Sequence, residues 1–308
     1  MTTAYHRGEL AVQDRAELSR QAGFSLGGIG TVIPPVAAEF LAAQPMVVIG
    51  GTDRDGRVWA TQLSGAPGFL RAPDERTLSV AARPGPQDPL AEVLAGPARI
   101  GMIAIEPATR RRMRINGRSV PDGDGLRVDL DQVIANCPKY IQKRDHRPLL
   151  PGEEGSGRAP RAVDSAELTE AQQRWIRGAD TFFVATASDR GDADASHRGG
   201  NPGFLRVLSP TRLRWPDYVG NAMFLTLGNL ELNPAAGIVV PGWESGSSLH
   251  LTGTARTVWD AEPIAEVPGA QRLVEFEVTA VREVSDAAPL RWSAPEASRF
   301  NPPVAPVS

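Results

Sequence analysis

The feature that most constrains this chain is a repeat. "QLSGAPGFLR" at 62–71 and "SHRGGNPGFLRV" at 196–207 share the ending GxPGFLR, and Gly65 and Gly200 stand 135 positions apart. The same spacing sets Gly56 on Gly191. Each of these glycines closes a polar turn, TDRDG or SDRG, that follows an apolar run, MVVIGG (46–51) or TFFVATA (181–187). Downstream, MRING (113–117) meets LHLTG (249–253) at a spacing of 136. Solenoid repeats recur every 20–50 residues or so. A period this long instead specifies two copies of one domain.

Both copies are built from short β-branched and apolar runs separated by Gly, Asp, Pro and Asn turns. TLSVAA, RIGMIAI and RMRI belong to the first copy; RLRW, GIVV and SLHL belong to the second. Each copy closes with an alternating strand, LRVDLDQV (126–133) or LVEFEVTAV (273–281). Period-two alternation implies half-buried antiparallel strands. One helix is expected inside each copy, near 88–95 and from about Ala222 to 232. Further helices are expected at 7–21, 34–43 and 165–178. The expected fold class is mainly β: two tandem small barrels with N-terminal and linker helices. The boundaries fall at 1–144 for the first module, 145–162 for a linker and 163–308 for the second.

Composition narrows the function classes. Apolar residues make up 41% of the 308 residues, enough for two cores, and 22% are charged, too few for a disordered chain. The net charge of −3 argues against a nucleic-acid binder. No apolar run approaches the roughly 20 residues of a membrane helix, and the charged N-terminus does not read as a secretory signal. The single cysteine, Cys137, fits a reducing cytoplasm and reads as a small buried apolar residue. No HxxxH, CxxC or GxSxG pattern occurs, so no metal site is expected. Gly28-Ile29-Gly30 reads as loop. Arg110-Arg111-Arg112 reads as a solvated hairpin turn.

The chemistry is expected where the copies differ. The second carries His197-Arg198; the first has Gln62 and Leu63 there. The shared glycines therefore serve the fold, and the added pair serves a site in the second module.

In TFFVATASDRG, SHRGGNPGFLRV, LRWPDYVGNAMFLTLGNLELNP and LVEFEVTAV, the second copy resembles the pyridoxamine 5'-phosphate oxidase-like, FMN-binding split-barrel family. The first copy looks like a divergent module of the same fold. YHRGELAVQDRA and NCPKYIQKR (136–144) resemble segments of two-module members. The resemblance implies a flavin held between paired barrels, with the pairing inside one chain as a pseudo-dimer or between chains as a homodimer. It implies FMN as cofactor and a small organic substrate in an oxidoreduction. It also implies phosphate contacts from Ser196, Arg198 or His197 at a strand end. Others would come from the turn Asp217, Tyr218 and Asn221, from Met223 through its backbone N–H, and from Thr226 and Asn229 on the helix. Family members often carry Ser-Arg-Lys in that turn, where this chain has Asn-Ala-Met. Lys139, Tyr140 and Arg144 are the expected outside supply of charge and ring contact, with Trp292 in the mirror role. His197 is the candidate acid/base. One cofactor per chain is expected. Pyridoxamine phosphate oxidation itself lacks the cations for a second phosphate. The same fold also suits a non-catalytic flavin, deazaflavin or haem binder, or an enzyme that has reused the groove without flavin.

Overall fold

A computed structural model describes residues 4–135 and 138–304. The expectation for Cys137 lies outside the described residues. The described chain is dominated by two eight-stranded antiparallel sheets. The first contains β1 (Ile29–Gly30), β2 (Met46–Thr52), β3 (Val58–Ser64), β4 (Leu70–Asp74), β5 (Thr77–Val80), β6 (Ala98–Glu106), β7 (Arg111–Asp122) and β8 (Gly125–Ala135). A short strand β9 (His146–Pro148) follows. The second sheet contains β10 (Arg161–Ser165), β11 (Thr181–Ala187), β12 (Ala193–Gly199), β13 (Arg206–Ser209), β14 (Arg212–Tyr218), β15 (Ala235–Pro241), β16 (Ser248–Val258) and β17 (Ala270–Ser285). A last strand, β18 (Leu290–Trp292), pairs with β9.

The two sheets share one wiring. The first runs β3-β2-β6-β7-β8-β5-β4 and the second β12-β11-β15-β16-β17-β14-β13, each with one extra strand, β1 on β8 and β10 on β17. Even the irregularities match. The ladder slips at Asn116/Gly117 in one and at Thr252/Gly253 in the other. Gly68 and Gly203, in the shared GxPGFLR, both sit in the left-handed region, at φ +93° and +90°, where a side chain would be strained.

Among the described residues six α-helices accompany the sheets: α1 (Arg7–Arg15), α2 (Ser19–Ser25), α3 (Pro35–Ala43), α4 (Glu170–Gly178), α5 (Leu225–Leu232) and α6 (Ala261–Ala265). The single helix expected over 7–21 is two, broken where Glu17 takes φ +58°. The stretch 165–178 is helical only from Glu170, capped by Thr169, because Arg161–Ser165 pairs with β17. No helix forms at 88–95. Asp88 instead turns its carboxylate onto the Leu90 N–H at 2.8 Å and onto the Thr61 hydroxyl, and the segment stays a series of turns. The helix expected from Ala222 starts only at Leu225, because Ala222 and Phe224 hold φ of +59° and +60°. The stretch read as linker holds β9 and the start of β10.

Each barrel has its own apolar core. Leu41, Leu70, Leu78 and Ile115 fill the first, and Phe182, Trp215, Leu249 and Phe276 the second. A third cluster joins them: Met46, Val48, Ala60 and Ile103 of one sheet pack on Phe183, Ala185, Ala195 and Val239 of the other. The approach is closest at Gly101, where a Cβ would strike the backbone of Asp194. Polar contacts cross the same seam. The Thr252 hydroxyl donates to the Val58 carbonyl at 2.7 Å, and His250 Nδ1 lies 2.9 Å from the Ala60 carbonyl. Among the described residues no helix is long and apolar enough to cross a membrane.

Candidate functional site

A groove of about 290 Å³ opens where β12, the end of β14 and the turn before α5 meet β7 of the first barrel. Its floor is set by the chain order. β12 ends in His197-Arg198-Gly199, and bare Gly199 lets the Tyr140 carbonyl pass directly over it. Any side chain there would displace the crossing segment that carries Lys139 and Tyr140 into the groove. The N-terminal arm braces the turn from outside. Ser25 Oγ donates to the Asn221 carbonyl at 2.6 Å, and Gln13 Nε2 donates to the Met223 carbonyl at 3.3 Å.

The groove's electrostatics are one-sided. His197 is 3% exposed, and its Nδ1 lies 2.8 Å from an Arg112 Nη1 that reaches over from the first barrel. A guanidinium can only donate. Nδ1 is therefore the acceptor, which places the proton of a neutral ring on Nε2. Burial pushes the His197 pKa well below 6.5, and the charges of Arg112, Arg198 and Arg114 push it further. The ring stays neutral near pH 7. Arg198 is half-buried, and loss of solvation lowers its own pKa, with Asp217 opposing. Three buried donors are left without a partner: His197 Nε2, Arg198 Nε and Arg114 Nε. Asp217 accepts from Arg272 at 2.9 Å, and Asp194 ion-pairs with Arg114 through Nη1 at 3.7 Å, which leaves the Arg114 Nε without an acceptor. Orphaned buried donors with too little counter-charge call for an anion.

Residues 168–291 match the family model described as pyridoxamine 5'-phosphate oxidase. The match lies within the second module. No curated protein matches the chain. Among solved structures, a candidate pyridoxamine 5'-phosphate oxidase from Lactobacillus delbrueckii is 17% identical, with a TM-score of 0.34, covering 39% of this chain and 97% of that one. An FMN-binding protein from Syntrophomonas wolfei is 10% identical, TM-score 0.27, covering 36% and 84%. An FAD-binding protein from Mycobacterium smegmatis is 16% identical, TM-score 0.28, covering 39% and 98%.

The second barrel gathers some expected residues and disperses others. His197, Arg198, Asp217, Tyr218, Asn221, Thr226, Lys139 and Tyr140 all line the groove. Tyr140 and Tyr218 face each other with ring centroids 5.0 Å apart, and burial pushes the Tyr218 phenol up to about 12. Asp217 is an acceptor, so its place on the wall is to hold Arg272 rather than to meet an anion.

Arg144 is not in the groove. It is buried in an ion pair with Asp180 at 2.9 Å, beneath the Trp243 ring. Trp292 packs on His146 and Trp243 beside the β9–β18 pair and lines a different, open cleft. Met223 turns its side chain into a small apolar cluster, and its backbone N–H donates to Asn221 Oδ1 at 3.2 Å, so it has no N–H to offer a phosphate. Ser196 lies behind the groove, its hydroxyl between Asp194 and Thr226. Asn229 joins Thr186 and His6 on the far side of α5.

Two groove residues were missed. Arg112 was read as part of a solvated turn, yet only Arg110 and Arg111 behave so, pairing with Glu296 and Glu106. Arg112 and Arg114 alternate with Met113 and Ile115, whose side chains enter or border the first core. The two arginines therefore share one face of β7. That alternation was the available signal.

Proposed function

We propose that the protein is a cytoplasmic FMN-dependent oxidoreductase of the pyridoxamine 5'-phosphate oxidase-like family acting on a small organic substrate. The reading rests on one observation: three buried, unpartnered donors on Arg114, Arg198 and His197 converge on a groove with too little counter-charge. A dianionic phosphate supplies the missing acceptors. Both barrels line the groove, which favours a site complete within one chain, the barrels serving as a pseudo-dimer.

The bound flavin would supply the redox chemistry. The chain's own residues then do three things. Arg114 and Arg198 hold the phosphate, and Thr226 supports Ser196 and Asp194 behind them. The Tyr140–Tyr218 pair walls one side and excludes water. His197, locked by Arg112, presents an Nε2–H as a fixed donor and not as a proton acceptor. That corrects the acid/base role expected of it: a ring whose Nδ1 is occupied and whose charged form is disfavoured cannot take up a proton near neutral pH.

The test is the absorption spectrum of freshly purified protein, followed by mass analysis of what it releases and titration of the stripped protein with FMN. A yellow protein releasing one FMN per chain is expected. A colourless protein that ignores added FMN would overturn the reading. A protein that binds FMN tightly but whose flavin is reduced neither by nicotinamide donors nor by small organic substrates would be a flavin carrier.

A further inference from the structure

A second cavity, of about 250 Å³, lies on the other side of Asp194 from the groove. It is framed by the start of α1, the start of β12 and the β7–β8 ladder of the first barrel. Its polarity is opposite to that of the groove. Asp194 is 2% exposed; its Oδ2 accepts from Ser196 at 2.9 Å, while its Oδ1 has no hydrogen-bond partner. Asn116 is 8% exposed; its Nδ2 donates to Gln132 at 3.2 Å, and its Oδ1 likewise has none. The two are neighbours through the seam. Asn116 is the ladder partner of Gly101, and Gly101 is the residue whose bare Cα abuts the Asp194 backbone. Glu9, 5% exposed on α1, adds a second buried carboxylate.

On the rim the charges are already paired, Arg118 with Asp131 at 2.9 Å and Arg99 with Asp192. Inside, two carboxylates face a single cation, Arg114, whose Nη1 stands 3.7 Å from Asp194 Oδ1, while Glu9 accepts from the His6 N–H at 2.7 Å. Asp194 Oδ1 and Asn116 Oδ1 still lack a hydrogen bond, and one negative charge is in excess once Glu9 ionises. Buried acceptors without donors are costly, and a neutral water would leave the charge in place. Among the described residues, no group of three His, Cys, Asp or Glu side chains is placed to hold a metal ion.

We propose that this cavity binds a primary alkylammonium group, its three N–H donors meeting Asp194 Oδ1, Asn116 Oδ1 and the Glu9 carboxylate. An ammonium has three donors and no acceptor, which matches this set in number and in sign. Burial pushes the Glu9 carboxyl up to about 7, with Asp194 and Asp192 adding to it, while the His6 N–H and Arg114 oppose. The site is therefore fully charged only above neutral pH. The proposal stands independently of what fills the groove.

The test is isothermal titration of the full chain with n-butylammonium chloride at pH 8. Saturable one-to-one binding is expected. Asp194→Asn should weaken it about tenfold or more, as for a hydrogen bond to a charged group, and Asn116→Ala about fivefold. Tetramethylammonium, which has the charge but no N–H, should bind at least about tenfold more weakly. Asn116→Ala and the tetramethylammonium comparison carry the test if Asp194→Asn does not fold. Absence of saturable heat, equal affinity in the variants, equal binding of tetramethylammonium, or displacement by potassium at matched concentration would each overturn the proposal.

Discussion

The two barrels share a strand order, a bulge and a GxPGFLR turn, yet among the described residues unpartnered buried cationic donors line a groove only at the second. Three residues before its ladder slip, each barrel places a polar side chain on the seam: Arg114 on β7 and His250 on β16. Arg114 faces the second barrel's groove with a free Nε. His250 is pinned to the Ala60 carbonyl, close to a buried Asp88 that is bonded to Thr61 and to the Leu90 N–H. At the position of Arg198, the first barrel has Leu63, 4% exposed in its core. One wall is thus closed by mutually satisfied groups. The other keeps donors waiting for a ligand. A shared fold fixes where polar residues can stand, and the residue identities decide whether they satisfy each other or bind something else.

The sharpest way to break this comparison is a reciprocal exchange. Leu63→Arg should destabilise the protein by about 3–5 kcal/mol, because it buries a charge with no partner. Urea denaturation reads it directly. Arg198→Leu should leave stability unchanged or raised while weakening FMN by roughly 10–100-fold, the worth of a charged hydrogen bond. Similar stability losses in both variants would show that Arg198 is structural.

Arg112→Ala comes next. It frees His197 Nδ1, so the ring can change tautomer and withdraw its Nε2–H. FMN affinity should fall about tenfold, and fluorescence titration measures it. The seam itself is tested by Gly101→Ala, whose Cβ meets the Asp194 backbone. Overpacking of this kind costs about 1–3 kcal/mol, read as a lower melting temperature. A neutral result would mean that the barrels pack more loosely than the third cluster implies.

The smallest effects concern pH. His197 and His250, one beside each wall, both have pKa values lowered chiefly by burial. The unfolded chain binds protons that the folded chain refuses. Their contribution is complete above pH 6.5 and is lost as pH falls below it. Glu9 has the opposite sign. Its folded value of about 7 lies above the unfolded 4.5, so folding is favoured below pH 4.5 and loses that advantage as pH rises to about 7. Glu9→Gln should therefore be more stable than the parent at pH 8, by about 1–3 kcal/mol, and equal to it near pH 4. Thermal melts across pH 4–8 check both signs.

Much of this was legible in the residues alone. The repeat specified two like-wired sheets, because strand periodicity and turn glycines are local properties that each copy carries in full. The contrast between His197-Arg198 and Gln62-Leu63 marked the barrel that holds the groove. Local chemistry also misled: Asp88 redirected a helical-looking stretch into turns, and positive φ at Ala222 and Phe224 delayed α5. What only the tertiary structure decided was which charges meet. Arg112 and Arg114 complete a groove whose His197 and Arg198 lie more than eighty positions away, and Arg144, close in sequence to the groove's Lys139 and Tyr140, is captured by Asp180. A sequence lists the cations of a chain. Which of them find a carboxylate and which are left for a ligand depends on packing between two barrels, and that is set by long-range contact rather than by any neighbour along the chain.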